Sequence, residues 1–192
     1  MEEWGQILIA LLTGGALTAL IKGTIGIIKK RMELRSAFPE AIKKIKKIYS
    51  LMDELKAEVE CDRVLIMSTK NGGGIPRPGA HLYASVLYET FDKKMEAVMP
   101  YWQQRQVDLA YVKVLSGLEE YGVIEIDTVD IDDGLLKDIY ISHGVKKSIV
   151  AKIKSTSNHY YYLSCNFTSK NSANLQAKVK ISDVAIRIRD II

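Results

Sequence analysis

The sequence predicts an α+β protein, a central antiparallel sheet flanked by helices and preceded by an N-terminal transmembrane helix. Three observations carry that reading. Residues 4–21 contain no charged side chain. Apolar runs of strand length occur in pairs with short links, which makes the partners antiparallel. Runs with helical spacing separate and close those pairs.

The first segment reads "WGQILIALLTGGALTALIKGTIGIIKKR". Its Trp4–Ile21 stretch has about the minimum length for a spanning helix. Trp4 suits one interface, Lys22 can snorkel to the other, and Lys29, Lys30 and Arg31 stop the segment. The start, Met-Glu-Glu, lacks the basic region of a signal peptide. Residues 7–21 lack the charged face of an interfacial helix. Glu2 and Glu3 precede the span and the basic cluster follows it. The positive-inside rule therefore expects one span in the inner (cytoplasmic) membrane with the C-terminal domain in the cytoplasm. Gly15, Ala19 and Gly23 recur every four residues, a spacing that lets helices approach in lipid and that is also common in spans generally. The expected boundaries are 1–31 for the anchor with its basic stop, 32–60 for a connector and 61–192 for the globular domain.

Pro39 suits a first helical position, so a connector helix is expected from there to about Glu60. Ile45, Ile48, Met52, Leu55 and Val59 follow a 3-4-3-4 spacing. That is the seam of a short parallel coiled coil, hence a homodimer or higher oligomer, or else the buried face of a helix packed on its own domain. Lys43, Lys44, Lys46 and Lys47 would lie near anionic membrane lipid.

Beyond Cys61 the period changes. "RVLIMS" and "LYASVLYE" read as strands. "VDLAYVKVLSGLEEYG" is helical, with Leu109, Val112, Leu115 and Leu118 on one face and Gly122 as its stop. "VIEI" is a short strand, and "DDGLLKDIYISHG" a short helix ending near Gly144. "KKSIVAKIK" and "HYYYLSCNF" form a hairpin through Ser155–Asn158. In the second of these His159, Tyr161, Leu163, Cys165 and Phe167 share one face; Tyr160, Tyr162, Ser164 and Asn166 share the other. The tail contains the alternating run "AKVKI", but Ile181, Val184, Ala185, Ile188 and Ile192 are spaced for a helix, which is the expected element.

Composition excludes several classes. The chain has 192 residues and a net charge of +4. Between Lys29 and Lys47 eight basic residues face two acids, while residues 119–138 are acidic. Basicity is thus local, and no nucleic-acid partner is expected. Cys61 and Cys165 are isolated and fit buried thiols better than a disulfide framework. No metal site is expected: the acidic residues Asp127, Asp130, Asp132 and Asp133 lack the glycine and closing glutamate of a calcium loop. His81, His143 and His159 show no ligand spacing. No catalytic set and no cofactor motif are visible, so the protein is expected not to be an enzyme. The sequon Asn166-Phe167-Thr168 matters only in a secreted domain.

The loop "KNGGGIPRPG" carries the most unusual chemistry. It has neither the Gly-Lys-Ser/Thr nor the following helix of a phosphate-binding loop. One reading is a strand connection that needs positive φ at one or two glycines. The other is an anion cradle of Gly72, Gly73 and Gly74 amides beside Lys70, Asn71 and Arg77, the arginine being held on a stiff segment between Pro76 and Pro78. If a ligand binds elsewhere, the hollow between the sheet and the helix near Leu109–Tyr121 is the expected place.

The order of elements, and "LLKDIYISHGVKKSIVAKIKSTSNHYYYLSCNF" in particular, resembles the GAF domain of the PAS-like group of sensor folds over about residues 40–192. "RVLIMSTKNGGG" followed by "LYASVLYE" resembles small membrane-anchored GAF-like proteins of phages and prophages. Their first strand ends in His-Asn-Gly-Gly and their second in Tyr-Glu. Asn71, Gly72, Gly73, Tyr88 and Glu89 match that pattern, and Lys70 stands in place of the histidine. The resemblance implies a GAF/PAS-like sheet in a membrane-anchored architecture. Together with the loop reading it leads to a non-enzymatic sensor or binding module, with Lys70, Asn71, Gly72, Gly73, Gly74, Arg77, Tyr88 and Glu89 as candidate ligand residues. The alternative is a single-span holin-type phage lysis protein with a globular C-terminal domain, for which the domain should lie outside the cytoplasm.

Overall fold

The structure, a computed structural model, describes residues 16–72, 81–169 and 175–192, with the backbone alone over 16–21 and 26–36. The chain divides into two units, residues 1–46 and 47–192. Most of the expected span, Trp4 included, lies outside the described residues, as do the side chains of Lys29, Lys30 and Arg31; Lys22 is exposed. Among the described residues no helix is long and apolar enough to cross a membrane.

Helix α1 runs through both units, from Ala16 to Val59. The sequence expectation that Pro39 begins a helix is corrected: it sits inside this one, where it cannot donate to the carbonyl four residues earlier. In the first unit Phe38, Ile42 and Ile45 are exposed.

The second unit contains a six-stranded sheet in the order β3-β2-β1-β6-β5-β4. The strands are β1 (Arg63–Lys70), β2 (Tyr83–Phe91), β3 (Arg105–Gln106), β4 (Val123–Asp127), β5 (Lys147–Ser155) and β6 (His159–Phe167). Every neighbouring pair is antiparallel. Helices α2 (Leu109–Tyr121), α3 (Leu135–Ser142) and α4 (Leu175–Arg189) accompany it, with a 3₁₀ turn at Thr128–Asp130. The tail is a helix, with Ile181, Val184, Ala185 and Ile188 buried and Ile192 at the surface.

Strand periodicity divides the interior in two. On one face Val64, Ile66, Ile149, Ala151, Ile153, Leu163, Cys165 and Phe167 pack against Ile48, Leu51, Met52, Leu55 and Val59 of α1 and against the inner face of α4. This corrects the dimer seam. Ile48, Met52, Leu55 and Val59 are each at most 6% exposed within this core, so they are not free for a partner helix; only Ile45 stays at the surface. The isolated spacing of a helix is the same for either use, and the adjacent apolar sheet decides. Both cysteines are free and buried in this layer. Burial and then the neighbouring Cys61 push the Cys165 thiol up.

On the other face Leu65, Met67, Ala84, Val86, Val150 and Tyr162 pack against Val98, Trp102, Ala110, Tyr111, Leu118, Ile131 and Leu136. The expected face of α2 holds in its C-terminal half, where Leu118 is buried and Leu115 packs on the core; in the first half Leu109 is 70% exposed and Val112 38%, and Ala110 and Tyr111 are buried instead. Gly122 ends α2 as expected, its N–H donating to the Leu118 carbonyl.

Candidate functional site

The second layer is not filled. Between the sheet and its α2–α3 cover lies a cavity of about 40 Å³, room for roughly three water molecules. β1 supplies Arg63, Leu65 and Met67; β6 supplies Tyr162, Ser164 and Asn166. Trp102, Tyr111, Leu136 and Tyr140 line the cover side. Arg63 and His143 also border an open groove of about 670 Å³ formed with Asp62, Asp92, Lys93, Lys94 and Glu96.

A β-bulge builds one end of the site. β2 pairs Val86 with Met67 and Tyr88 with Ile66, so Leu87 is the extra residue. Val86 faces the cavity layer; without the bulge Tyr88 would follow it there. Instead Tyr88 crosses to the α1 side, where its ring meets Tyr49 edge-on at 5.6 Å, and Glu89 turns inward. Glu89 Oε1 lies 3.1 Å from Arg63 Nε, with the side chains 3% and 1% exposed. The contact is an ion pair without hydrogen-bond alignment, since Arg63 Nε has no hydrogen-bond partner among the described residues. The Glu89 carboxylate also accepts from the Val98 amide at 2.8 Å and 3.1 Å and from the Met99 amide at 2.8 Å. Arg63 Nη2 donates to the Glu96 carbonyl. One buried pair thus ties the Glu96–Trp102 segment over the cavity. The Trp102 carbonyl in turn accepts from Val86 N at 3.0 Å.

Asp108 performs the same service at the other side. As the α2 N-cap it accepts from Tyr111 N at 2.9 Å, the usual capping bond. Its second oxygen accepts from Leu136 N at 3.2 Å and so fixes the start of α3. Gly134 makes this approach possible: at φ +157°, a Cβ there would stand 2.7 Å from Asp108 Oδ2.

The cavity wall is aromatic and rich in donors. Trp102 stacks on Tyr111 at 6.0 Å, and Tyr111 meets Tyr162 at 6.3 Å. Arg63 Nη1, Trp102 Nε1, Tyr111 Oη and Tyr162 Oη are buried and have no hydrogen-bond partner among the described residues. Thr69 sits beside Tyr162 and offsets a little of the burial that raises the Tyr162 phenol, but their oxygens do not meet in hydrogen-bond geometry. Asn166 Oδ1 accepts from Ser148 Oγ at 3.2 Å and from Ser164 Oγ at 2.8 Å. Burial pushes the Tyr140 phenol up, partly offset by the same two serines. Burial lowers Arg63, against the opposing pull of Glu89 and Asp62. Tyr140 and Tyr162 therefore stay protonated.

The sequence-expected loop site is not assembled. Gly73, Gly74 and Arg77 lie outside the described residues. Lys70 ends β1, paired with Tyr83 of β2, whereas Glu89 pairs with Leu65; six strand residues put about 20 Å between the two ends. Gly72 has φ +50°, which agrees with a connection needing a left-handed glycine. Asn71 is buried, and its Oδ1 has no partner among the described residues. Tyr88 is on the wrong face for a common site with Glu89. The acidic residues also hold to their own neighbours: Asp132 pairs with Lys113, Asp133 with Lys137 and Asp127 with Lys147. Among the described residues no group of three potential ligands could hold a metal ion. Asn166, the sequon residue, is 4% exposed.

Sequence reasoning located the hollow beside α2 but not its chemistry. A signal existed for Arg63: a charge in phase with Leu65 and Met67 on a strand buried on both faces. None existed for Trp102, whose turn has no period.

Solved structures match this arrangement across most of its length. A phycoerythrobilin-bound GAF domain from a cyanobacterial phytochrome has a TM-score of 0.53 at 13% identity, covering 80% of this chain and 91% of its own. The fold is GAF-like. A far-red cyanobacteriochrome photoreceptor gives 0.54 at 12% identity, covering 85% of this chain and 96% of its own. The blue-light absorbing form of the PixJ GAF domain of Thermosynechococcus elongatus gives 0.53 at 10% identity, covering 79% and 88%. No protein-family model and no curated protein sequence matches the chain. At such identities the likeness concerns fold alone. The GAF-like frame places the cavity between the sheet and its α2–α3 cover, with both cysteines on the far side of the sheet.

Proposed function

We propose that this chain is a ligand-binding sensor module, non-enzymatic, whose ligand occupies the cavity between β1, β6 and the α2–α3 cover. One observation carries the reading: Arg63, Trp102, Tyr111 and Tyr162 all line a single cavity, and each has a buried polar atom with no hydrogen-bond partner among the described residues. Groups of this kind are normally satisfied, and each one left unpaired costs about 1–3 kcal/mol. A bound molecule with acceptors would recover that free energy. The GAF-like fold supports the reading, since one neighbour is described as bilin-bound. A ligand as large as a bilin does not suit this cavity, because pockets for drug-sized molecules measure about 300–1,000 Å³.

Trp4 and Trp102 are the only tryptophans, so Trp4→Phe makes indole emission a report on the cavity wall. A fragment screen on that full-length protein should yield compounds that shift Trp102 emission and raise the melting temperature. Val114→Phe, which fills the cavity from α2, should abolish both responses while the protein stays folded. Compounds that act equally on Val114→Phe would put the site elsewhere and refute the reading.

On the sequence alone we further propose that residues 4–21 anchor the module in the inner membrane with its domain in the cytoplasm, in the manner of the phage-type GAF-like proteins. A reporter fused to the C-terminus that is active only outside the cytoplasm would reverse this and favour the holin-type alternative.

A further inference from the structure

The cavity's polar atoms say what kind of ligand it takes, and the charges around it say what kind it refuses. Arg63 Nη1 and Trp102 Nε1 can only donate, and the phenols of Tyr111 and Tyr162 can donate. A side-chain acceptor in the wall, Asn166 Oδ1, already receives two serine hydroxyls. The ligand must therefore bring acceptors.

Charge decides between a carboxylate and a neutral carbonyl. Arg63 is already ion-paired with Glu89 and lies in the field of Asp62. His143, the other basic group in the lining, has its Nδ1 3.1 Å from Ser142 Oγ and 3.0 Å from the Ile139 carbonyl. Lys93 and Lys94 stand in the outer groove rather than in the cavity wall. An anion in the cavity would place a second buried negative charge beside Glu89, with no lysine or second arginine among the described lining residues to balance it, and such charges are strongly disfavoured. A neutral carbonyl needs donors alone. The Trp102, Tyr111 and Tyr162 rings supply walls against which a flat molecule packs.

We propose that the site takes a small, flat, uncharged carbonyl compound, an amide, lactam or urea, whose oxygen accepts from the cavity donors. This rests on the proposed cavity function and goes beyond it by fixing the ligand's charge and polarity. It also differs from the anionic ligand that the glycine loop suggests.

Isosteric pairs that differ only in charge test it on full-length Trp4→Phe protein: acetamide against acetate, and benzamide against benzoate, at neutral pH. Acetamide matches the space as it stands; benzamide requires the Val98–Trp102 turn to give. The amides should change Trp102 emission saturably, and each carboxylate should bind at least about tenfold more weakly. Tyr162→Phe and Tyr111→Phe should each weaken amide binding roughly three- to tenfold, the loss of one hydrogen bond, with benzene-ring packing unchanged. Carboxylates that bind as tightly as their amides would overturn the inference while leaving the cavity reading intact. So would binding of toluene with neither amide nor carboxylate. If no probe perturbs Trp102, and Val114→Phe raises the melting temperature by filling an otherwise empty space, both the inference and the cavity function fall together.

Discussion

Glu89 is the residue whose removal the structure predicts most sharply. Its carboxylate takes three short contacts from the Val98 and Met99 amides and faces Arg63 at 3.1 Å, all at 3% exposure or less for the two side chains. Glu89→Ala leaves the Arg63 charge buried with the Glu96 carbonyl as its one hydrogen-bonded partner among the described residues and strips two amides of their acceptor. Breaking a buried pair from one side costs about 3–5 kcal/mol, and unpaired amides add about 1 kcal/mol or more each unless water reaches them. We expect a loss of about 4–5 kcal/mol. Glu89→Gln retains one acceptor oxygen but turns an NH₂ toward an amide, for a loss of about 2 kcal/mol. Replacing both partners, Arg63→Met with Glu89→Leu, removes the unbalanced charge and should cost less than the sum of the single changes, with a coupling of about 2–3 kcal/mol. Urea unfolding measures all four proteins. With a slope near 2 kcal/mol/M, Glu89→Ala should lower the midpoint by about 2 M. A loss under about 1 kcal/mol, or strict additivity in the cycle, would refute the account of this pair as the clamp on the cavity cover.

Leu55→Lys should unfold the domain, with a loss of about 4 kcal/mol or more, because Leu55 lies 1% exposed in the α1–sheet core; circular dichroism that stays native would restore the coiled-coil seam. Gly134→Ala should lose about 1–2 kcal/mol by thermal unfolding, since a Cβ 2.7 Å from Asp108 Oδ2 displaces the cap that joins α2 to α3. Glu125 is held below the usual carboxylate range by hydrogen bonds from Lys147 and then Lys178. A depressed folded value gives stability that is full above the unfolded carboxylate value of about 4.3 and is lost as pH falls through the folded value. Glu125→Gln should therefore lower stability by up to about 1 kcal/mol at neutral pH and by nothing at strongly acid pH, as read from urea midpoints across that range.

The GAF-like order of elements was legible because strand and helix periods alternate cleanly between Arg63 and Phe167. The two faces of β6 followed from alternation alone, and the terminal helix from Ile181, Val184, Ala185 and Ile188. Three features escaped for stated reasons. The 3-4-3-4 stripe of α1 reads the same whether its partner is a second helix or a sheet, and only the apolar β5 and β6 faces decide. A bulge at Leu87 cannot be seen in "YASVLYE", so Tyr88 and Glu89 looked like neighbours in one site while the strand sends them to opposite faces. The Asp92–Gln104 stretch has no period, although it carries the Val98 and Trp102 side of the cavity; it is positioned by Glu89 and Arg63, residues distant in sequence. The candidate site was thus legible as a place beside α2 but not as a set of residues.

β6 explains how a polar cavity is tolerated at the centre of so small a domain. It lies between β1 and β5, so its backbone is paired on both edges and a one-residue slip would exchange its faces. Such a slip would carry Leu163, Cys165 and Phe167 into the cavity and Tyr162, Ser164 and Asn166 into the helix-packed core. The apolar layer under α1 and α4 therefore fixes the cavity floor as a consequence of fixing the fold. The cover is set by packing in the second layer and by polar contacts, not by strand register. Val98, Trp102 and the starts of α2 and α3 are held by Glu89, Arg63 and Asp108, three side chains acting through polar contacts. A molecule entering the cavity would then shift the Glu96–Trp102 turn and leave the register of the sheet unchanged.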